Sequence, residues 1–207
     1  MPVAEMMANF WDERYQAEPF LFSTKPNSFL VEQITGNPRP GHKAALAVGD
    51  SEGRNGVWLA EQGWHVTSLD YAAEGIAKTQ RLAQERGVSI DTVCADASPW
   101  TFPAERYDQI VLLYFHLPRD AAIRAHQGCL KALKHGGRLI LEGFRKQQMP
   151  LTSGGPKVED WMYSAEEITS DFGTLDASVN RAVGRVLREG RLHGSAAVYQ
   201  FAGSKAD

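Results

Sequence analysis

An apolar run that breaks into a glycine turn is the feature that most constrains this fold. Residues 44–48 contain no polar side chain, as expected of a strand buried on both faces of a parallel sheet. Gly49 and Gly53 follow, and residues 55–62 have the composition of a helix. A strand, a tight turn and a helix N-terminus bring backbone N–H groups together. The stretch therefore predicts a site for an anionic ligand that approaches the backbone closely.

Two further strands are predicted to end in acidic residues. Residues 65–70 end in Asp70, and residues 93–97 contain Asp96 near their end. A carboxylate at the tip of the second strand can accept hydrogen bonds from both ribose hydroxyls of an adenosine ligand. The pattern therefore predicts an adenosine-containing cofactor, without choosing among the cofactor classes that carry one.

The order of these segments resembles the class I methyltransferases that use S-adenosylmethionine (SAM). The register G-x-S-x-G over residues 49–53 resembles motif I of that family, although Ala47 replaces a common acidic residue and Ser51 a glycine. Residues 107–118 resemble motif IV, and residues 133–142 resemble the family's entry into strand five. All of these segments follow one another in the family's order.

This resemblance implies a fold and a division of the chain. We expect an α/β fold with a Rossmann-like, seven-stranded, mostly parallel sheet, helices on both faces and an antiparallel C-terminal hairpin. One domain covers residues 1–207. Residues 1–40 form an N-terminal cover that ends in a turn-rich connector, 41–145 the cofactor-binding core, and 146–207 the acceptor-side loop, helix and hairpin. The glycine-rich stretch 152–156 is either a flap over the acceptor or an ordinary loop before a helix that starts with a capping box of Ser164 and Glu167.

The N-terminal segment resembles one branch of the family. The pattern F-W-D-x-R-Y over residues 10–15, followed by P-x-x-F-L over 26–30, resembles the tellurite-resistance and thiopurine methyltransferases. The resemblance implies that the segment lies across the cofactor, with Trp11 and Arg14 near its methionine moiety. A guanidinium can pair with the carboxylate, and an indole face attracts the sulfonium cation. The alternative is that Trp11 and Tyr15 only dock a helix on the core.

The resemblance also implies a cofactor site for SAM, with S-adenosylhomocysteine (SAH) as the product and no metal ion. In the family, the acid that ends strand three binds the adenine amino group, and the next backbone N–H meets a ring nitrogen. The residues expected to bind the cofactor are Trp11, Arg14, Gly49, Asp50, Ser51, Gly53, Asn55, Asp70, Tyr71, Asp96, Ala97, Tyr114 and His116.

The candidate catalytic residues are His116, Tyr114 and Tyr15. Strand four is predicted over residues 110–115, and His116 leaves it at the carboxyl end. Tyr114 and His116 are therefore expected where open α/β sheets bind their ligands. An imidazole with an ordinary pKa can act as a general base near neutral pH. A structural or cofactor-contacting imidazole is the alternative for His116, so the catalytic group is not assigned. A helix is predicted over residues 120–134 with Asp120 as its N-cap, and His126 within it is expected to be a packed histidine.

Composition narrows the partners and the location. A net charge of −3 and a pI near 6.1 do not indicate a nucleic-acid partner. We find neither a secretory signal nor an apolar run long enough for a membrane span, so a cytoplasmic location is expected. Cys94 and Cys129 are expected to be buried reduced thiols rather than metal ligands. The oligomeric state cannot be derived from the sequence.

Three functions compete at this point. The favoured hypothesis is a SAM-dependent methyltransferase acting on a small molecule, possibly a soft thiol or chalcogen nucleophile that needs no protein base. Ser51 and Ala47 raise the alternative of a non-catalytic SAM-binding regulator or partner module. The glycine register and Asp96 disfavour an NAD-dependent oxidoreductase. The segment after strand four lacks the Asn/Asp-Pro-Pro-aromatic and Pro-Cys patterns of DNA methylation.

Overall fold

The computed structural model describes residues 3–17, 19–36 and 43–207. The connector at the end of the N-terminal cover lies mainly outside these residues. The helices are α1 (Val3–Ala17), α2 (Ser28–Thr35), α3 (Arg54–Glu61), α4 (Ala73–Glu85), α5 (Arg119–Ala132) and α6 (Ala165–Phe172). The strands are β1 (Ala44–Val48), β2 (His65–Asp70), β3 (Asp91–Cys94), β4 (Tyr107–Leu113), β5 (Leu133–Phe144), β6 (Asp176–Glu189) and β7 (Leu192–Ser204). None of the helices in the described ranges has the length and hydropathy needed to cross a membrane.

The seven strands form one sheet in the order β3-β2-β1-β4-β5-β7-β6. Strands β1 to β5 pair in parallel, with Leu46 opposite both Thr67 and Ile110. Strand β7 runs antiparallel to β5 and β6, with Ala202 opposite Ile140. The predicted fold is therefore confirmed. Because the strand order reverses between β1 and β4, a crevice opens at their carboxyl ends.

The alternation along the central strands explains their continuous apolar sequences. Leu46 and Val48 pack into the cluster on one face of the sheet, whereas Ala45 and Ala47 pack into the cluster on the other. Helices α5 and α6 cover the first face, and α2 and α3 cover the second. Both faces are buried, so neither carries the polar alternation of a solvent-facing sheet.

Several local predictions need correction. Helix α5 begins at Arg119 after Pro118, which makes no side-chain cap, so Asp120 lies in the first turn and is not the N-cap. Strand β4 ends at Leu113, and the residues after it leave the sheet earlier than expected. Cys94 is exposed, because β3 is a short edge strand with β2 as its one neighbour in the sheet. Cys129 is buried, as predicted.

Helices α5 and α6 are joined by a small ionic group. His126 is buried, and its Nδ1 lies 2.8 Å from Oδ2 of Asp171. Arg119 donates to both oxygens of the same carboxylate. Although burial opposes ionisation, these hydrogen bonds lower the pKa of Asp171 to about 2. His126 is therefore a packed histidine, as predicted.

Candidate cofactor and acceptor site

A cavity of about 710 Å³ opens at the carboxyl ends of β1, β2 and β4. This volume lies in the range of ~300–1,000 Å³ typical of small-molecule sites. Helix α1, the segment after β5 and the β6–β7 turn complete its walls. The predicted site residues that line it are Trp11, Arg14, Tyr15, Gly49, Asp50, Ser51, Asn55, Asp70, Tyr71, Tyr114 and His116.

Three predicted cofactor-binding residues lie outside this lining. Gly53 is the left-handed N-cap of α3, and a Cβ there would lie 2.6 Å from the Thr79 side chain. Asp96 accepts a hydrogen bond from the Ser98 N–H at 2.9 Å. Ala97 packs in the core cluster. Asp96 and Ala97, the pair expected to bind the adenine, therefore lie outside the cavity lining.

The glycine turn is held close to its neighbours. Gly49 has a φ of +62°, and a Cβ there would lie 2.4 Å from the Phe115 ring. Its N–H donates to the Leu69 carbonyl at 2.8 Å, which ties the turn to β2. Ser51 also adopts the left-handed region, with a φ of +59°, although it has a side chain. The Ser51 backbone therefore follows a conformation that glycine adopts more readily.

Asp70 binds this turn directly. Its Oδ2 accepts from the Ser51 N–H at 2.8 Å, and its Oδ1 accepts from the Ala72 N–H at 2.9 Å. Burial raises the pKa of Asp70 to about 6, against the lowering effect of these hydrogen bonds. A carboxylate has about four lone-pair sites, so Asp70 retains capacity for ribose hydroxyls.

Two other predicted ligands instead support the turn. The Asp50 carboxylate accepts from the Gly56 N–H at 3.2 Å and from the Ser68 hydroxyl at 2.8 Å. Burial raises the pKa of Asp50 to about 7. Asn55 uses its side-chain oxygen to accept from the Asn27 N–H at 2.9 Å. Both residues line the cavity, so their contact with a cofactor stays a prediction, and their side chains also bind protein groups near the glycine turn.

Helix α1 places an aromatic wall over the turn. Trp11 stacks on Tyr15 with ring centroids 5.5 Å apart, and the Tyr15 hydroxyl lies 2.6 Å from Oγ of Ser51. The Arg14 guanidinium lies 4.2 Å from the Phe10 ring centroid and is exposed. Tyr15 docks the helix, whereas Trp11 and Arg14 face the cavity that a cofactor would enter.

His116 is bound at both ring nitrogens. Its Nε2 accepts from the Phe144 N–H at 3.0 Å, and its Nδ1 lies 2.9 Å from the Trp161 carbonyl, to which it donates. Burial lowers the pKa of His116 to about 4. The general-base hypothesis therefore needs correction. The imidazole joins the loop after β4 to β5 and to the segment beyond it.

The two phenols are also engaged. Tyr114 has a φ of +56°, and its hydroxyl donates to Oε1 of Glu142 at 3.0 Å. Burial raises the pKa of both Tyr114 and Tyr15 well above the usual value. Both phenols consequently stay protonated near neutral pH, and neither is an acceptor for a proton from a substrate.

Sequence reasoning missed a buried carboxylate below the cavity. Glu142 is fully buried on β5. Four donors from distant parts of the chain bind it: Asn27 Nδ2 at 2.7 Å, Tyr114 Oη at 3.0 Å, Arg185 Nη1 at 2.6 Å and Gln200 Nε2 at 2.6 Å. The available signal was an acid inside the apolar run of residues 139–144. The group fixes the Tyr114 ring against the cavity.

The far side of the cavity was missed as well. It is lined by residues outside the motifs, including Met6, Phe10, Phe22, Arg54, Phe144, Lys157, Val158, Trp161, Arg191 and Leu192. Gly154, Gly155 and Pro156 of the predicted glycine cluster also line it. The signal for Arg54 was its place directly after the glycine turn. Its Nη2 forms an ion pair with Oε2 of Glu189 at 2.8 Å.

The comparisons with known proteins agree with this geometry. Residues 45–137 match the family described as a methyltransferase domain. Over this segment the chain is similar to that family. The match spans β1 to the start of β5, which includes the glycine turn and Asp70. The family match, together with a methyltransferase of similar fold that was solved with bound SAH, supports SAM as the cofactor. No curated protein matches the sequence.

Solved structures share the fold of the methyltransferase domain and its surroundings. One, described as "Conversion of a Disulfide Bond into a Thioacetal Group during Echinomycin Biosynthesis", has a TM-score of 0.77 at 16% identity, covering 97% of this chain and 92% of its own. The cyclase SpnF has a TM-score of 0.75 at 14% identity, covering 100% and 97%. TehB from Haemophilus influenzae has a TM-score of 0.70 at 16% identity, covering 86% of this chain and 62% of TehB. At these identities the likeness shows the fold.

Proposed function

We propose that the chain transfers the methyl group of SAM to a small molecule, and that the accepting atom is a soft nucleophile such as a thiolate or a reduced chalcogen. The observation that carries the proposal is the lack of a free base. Among the described residues that line the cavity, every imidazole, phenol and carboxylate has a protein partner. A thiol, with an ordinary pKa of about 8.5, ionises without such a base more readily than an alcohol.

The placement of the cofactor is part of the same proposal. Asp70 would accept hydrogen bonds from the ribose, and the turn at Gly49 and Ser51 would approach the methionine moiety. Arg14 would pair with the carboxylate of that moiety, and Trp11 would face the sulfonium. SAM would supply an electrophilic methyl group. When the acceptor attacks this group in line, the sulfonium becomes the neutral thioether of SAH. The chain then contributes orientation in a partly enclosed cavity.

The soft acceptor and the family branch remain linked hypotheses. TehB is one of several structural neighbours, so its likeness supports testing reduced tellurium and selenium compounds, but no single acceptor. The cyclase SpnF carries the same fold, which makes a direct test of methyl transfer necessary. A cytoplasmic location and the lack of a nucleic-acid partner stay predictions from the sequence.

A matched acceptor series tests the proposal. Purified protein is incubated with SAM labelled at its methyl group and with thiophenol, phenol or aniline, together with selenite and tellurite under reducing conditions. We expect methyl transfer to thiophenol to be at least about 100-fold faster than transfer to phenol. This factor is the low end of what a general base contributes, and phenol would need such a base. Faster methylation of phenol or aniline would overturn the soft-acceptor assignment. SAH binding without transfer to any acceptor would overturn catalysis on soft nucleophiles.

A further inference from the structure

We propose that the acceptor is an apolar organic anion, in which the soft nucleophile is attached to a hydrophobic body that also carries a carboxylate or similar group. This inference rests on the proposed function and concerns the acceptor end of the cavity. We define the acceptor end as the part lined by Phe144, residues 154–158, Trp161, Arg191 and Leu192.

The opening of the cavity is apolar. In the described part of the chain, Met6, Phe10 and Val158 are large apolar side chains that are 51%, 42% and 44% exposed, and all three line this cavity. Met6 and Phe10 lie one helical turn apart on α1, so they share a face. Apolar side chains grouped at one opening indicate an apolar ligand, because single exposed ones scatter over ordinary surfaces.

The wall behind this opening is apolar as well. Gly154 and Gly155 have φ values of +133° and +93°. A Cβ at Gly154 would lie 2.4 Å from the Leu192 side chain, and one at Gly155 would lie 3.0 Å from the Phe144 ring. The two glycines therefore let the loop pack against Phe144 and Leu192. A small hydrated oxyanion by itself would leave this surface unused.

The charged side chains that line the acceptor end are basic, whereas the exposed acids Glu159 and Asp160 lie outside the lining. Lys157 and Arg191 line it, and they come from the segment after β5 and from the β6–β7 turn. The carboxylates in the lining, among the described residues, are Asp50 and Asp70, and both lie at the glycine turn. An anionic acceptor would therefore meet a complementary potential, whereas a cationic acceptor would meet like charges and the sulfonium of SAM.

The substrate test uses one aromatic thiol with three para substituents. Para-mercaptobenzoate is the anion, para-mercaptobenzamide the neutral match and para-(aminomethyl)thiophenol the cation, with mercaptopropionate as a small polar anion. We expect kcat/KM to be highest for para-mercaptobenzoate and lowest for the cation. Equal or reversed values across the three aromatic thiols would overturn the anionic assignment. A faster reaction with mercaptopropionate than with para-mercaptobenzoate would overturn the apolar one.

Matched variants assign the preference to named side chains. Lys157→Gln and Arg191→Gln should each lower kcat/KM for para-mercaptobenzoate by about fivefold, which is the upper end of what an exposed ion pair contributes. Neither variant should change kcat/KM for para-mercaptobenzamide. Lys131→Gln, an exposed cation on α5 outside the cavity lining, should change neither. An equal loss for the benzoate and the amide would contradict the charge assignment.

A binding measurement separates this inference from the proposed function. Para-methoxybenzoate and para-methoxybenzamide have no thiol to methylate, so their affinities for the SAH-bound protein report the acceptor end alone. We expect tighter binding of the benzoate by calorimetry, and a weaker preference in Lys157→Gln. If this preference holds while no thiol is methylated, the soft-acceptor function fails and the ligand class stands. If thiols are methylated without the preference, the ligand class fails.

Discussion

The two ends of the cavity are built in different ways. We define the cofactor end as the part of the cavity lined by Gly49, Ser51 and Asp70. Gly49 follows β1, Asp70 ends the adjacent parallel strand β2, and hydrogen bonds of the backbone fix their spacing. The acceptor end brings together the end of β5, the segment after it and the β6–β7 turn, and Phe144 packs with Leu192 in one cluster of side chains. Neighbouring strand tips can keep the same geometry in many proteins of this fold. Loops that meet through packing can differ, so we expect acceptor choice to reside there.

The largest expected effect concerns Glu142, whose buried carboxylate holds the Tyr114 ring next to Phe144 of the acceptor end. Glu142→Ala removes the carboxylate that pairs with the Arg185 guanidinium, and this guanidinium is largely buried. We expect the free energy of unfolding to fall by about 3–5 kcal/mol. Denaturant unfolding measures the loss.

The matched control for Glu142 is Glu61→Ala. Glu61 pairs with Arg86 at 3.3 Å on the surface, where such pairs contribute at most about 1 kcal/mol. Equal losses for the two variants would show that the buried carboxylate does not support the acceptor end.

The next largest effect is the pH dependence of the free energy of unfolding, which we expect from Asp50 beside the cofactor end. Burial raises the pKa of Asp50 from its usual 3.8 to about 7 in the folded state. Between these values the folded protein holds a proton that the unfolded chain releases, so the free energy of unfolding falls as pH rises. We expect a loss of a few kcal/mol from about pH 4 to about pH 7, and a smaller loss in Asp50→Asn. Parallel pH profiles for the two proteins would contradict this account.

Asp70 tests whether the cofactor end binds the cofactor. Asp70→Ala should weaken SAM binding by about 1–3 kcal/mol, the scale of hydrogen bonds to a charged acceptor. Calorimetric titration with SAM gives the dissociation constant, and Asp91→Ala, an exposed acid at the start of β3, is the matched control. An unchanged dissociation constant in Asp70→Ala would remove this carboxylate from the site.

The smallest expected effect concerns Arg14, which lies where α1 meets both ends. Arg14→Ala should weaken the free energy of SAM binding by about 1 kcal/mol or less, because the side chain is exposed. The effect on adenosine should be smaller, since adenosine lacks the carboxylate. Glu13→Ala, an exposed neighbour on the same helix, controls for helix stability. Equal effects on SAM and adenosine would favour a docking role.

The sequence by itself predicted the sheet and the strand tips at Gly49 and Asp70, which line the cavity. The apolar run at 44–48 and the acid at Asp70 carry local signals, because strand burial and turn geometry depend on residues close in the chain. The same reasoning predicted the antiparallel C-terminal hairpin and the capping box of α6. In that box Ser164 and Glu167 exchange hydrogen bonds at 2.8 and 3.2 Å.

The tertiary structure alone decided which polar groups are free to act. His116 is a plausible base in the sequence, but its partners lie 28 and 45 residues away. Glu142 likewise binds donors from α2 and from the two C-terminal strands. A buried polar group must find a hydrogen-bond partner, and long-range packing determines which one it meets. Local sequence patterns contain no information about that choice, so they predict the residues at the site better than the roles of those residues.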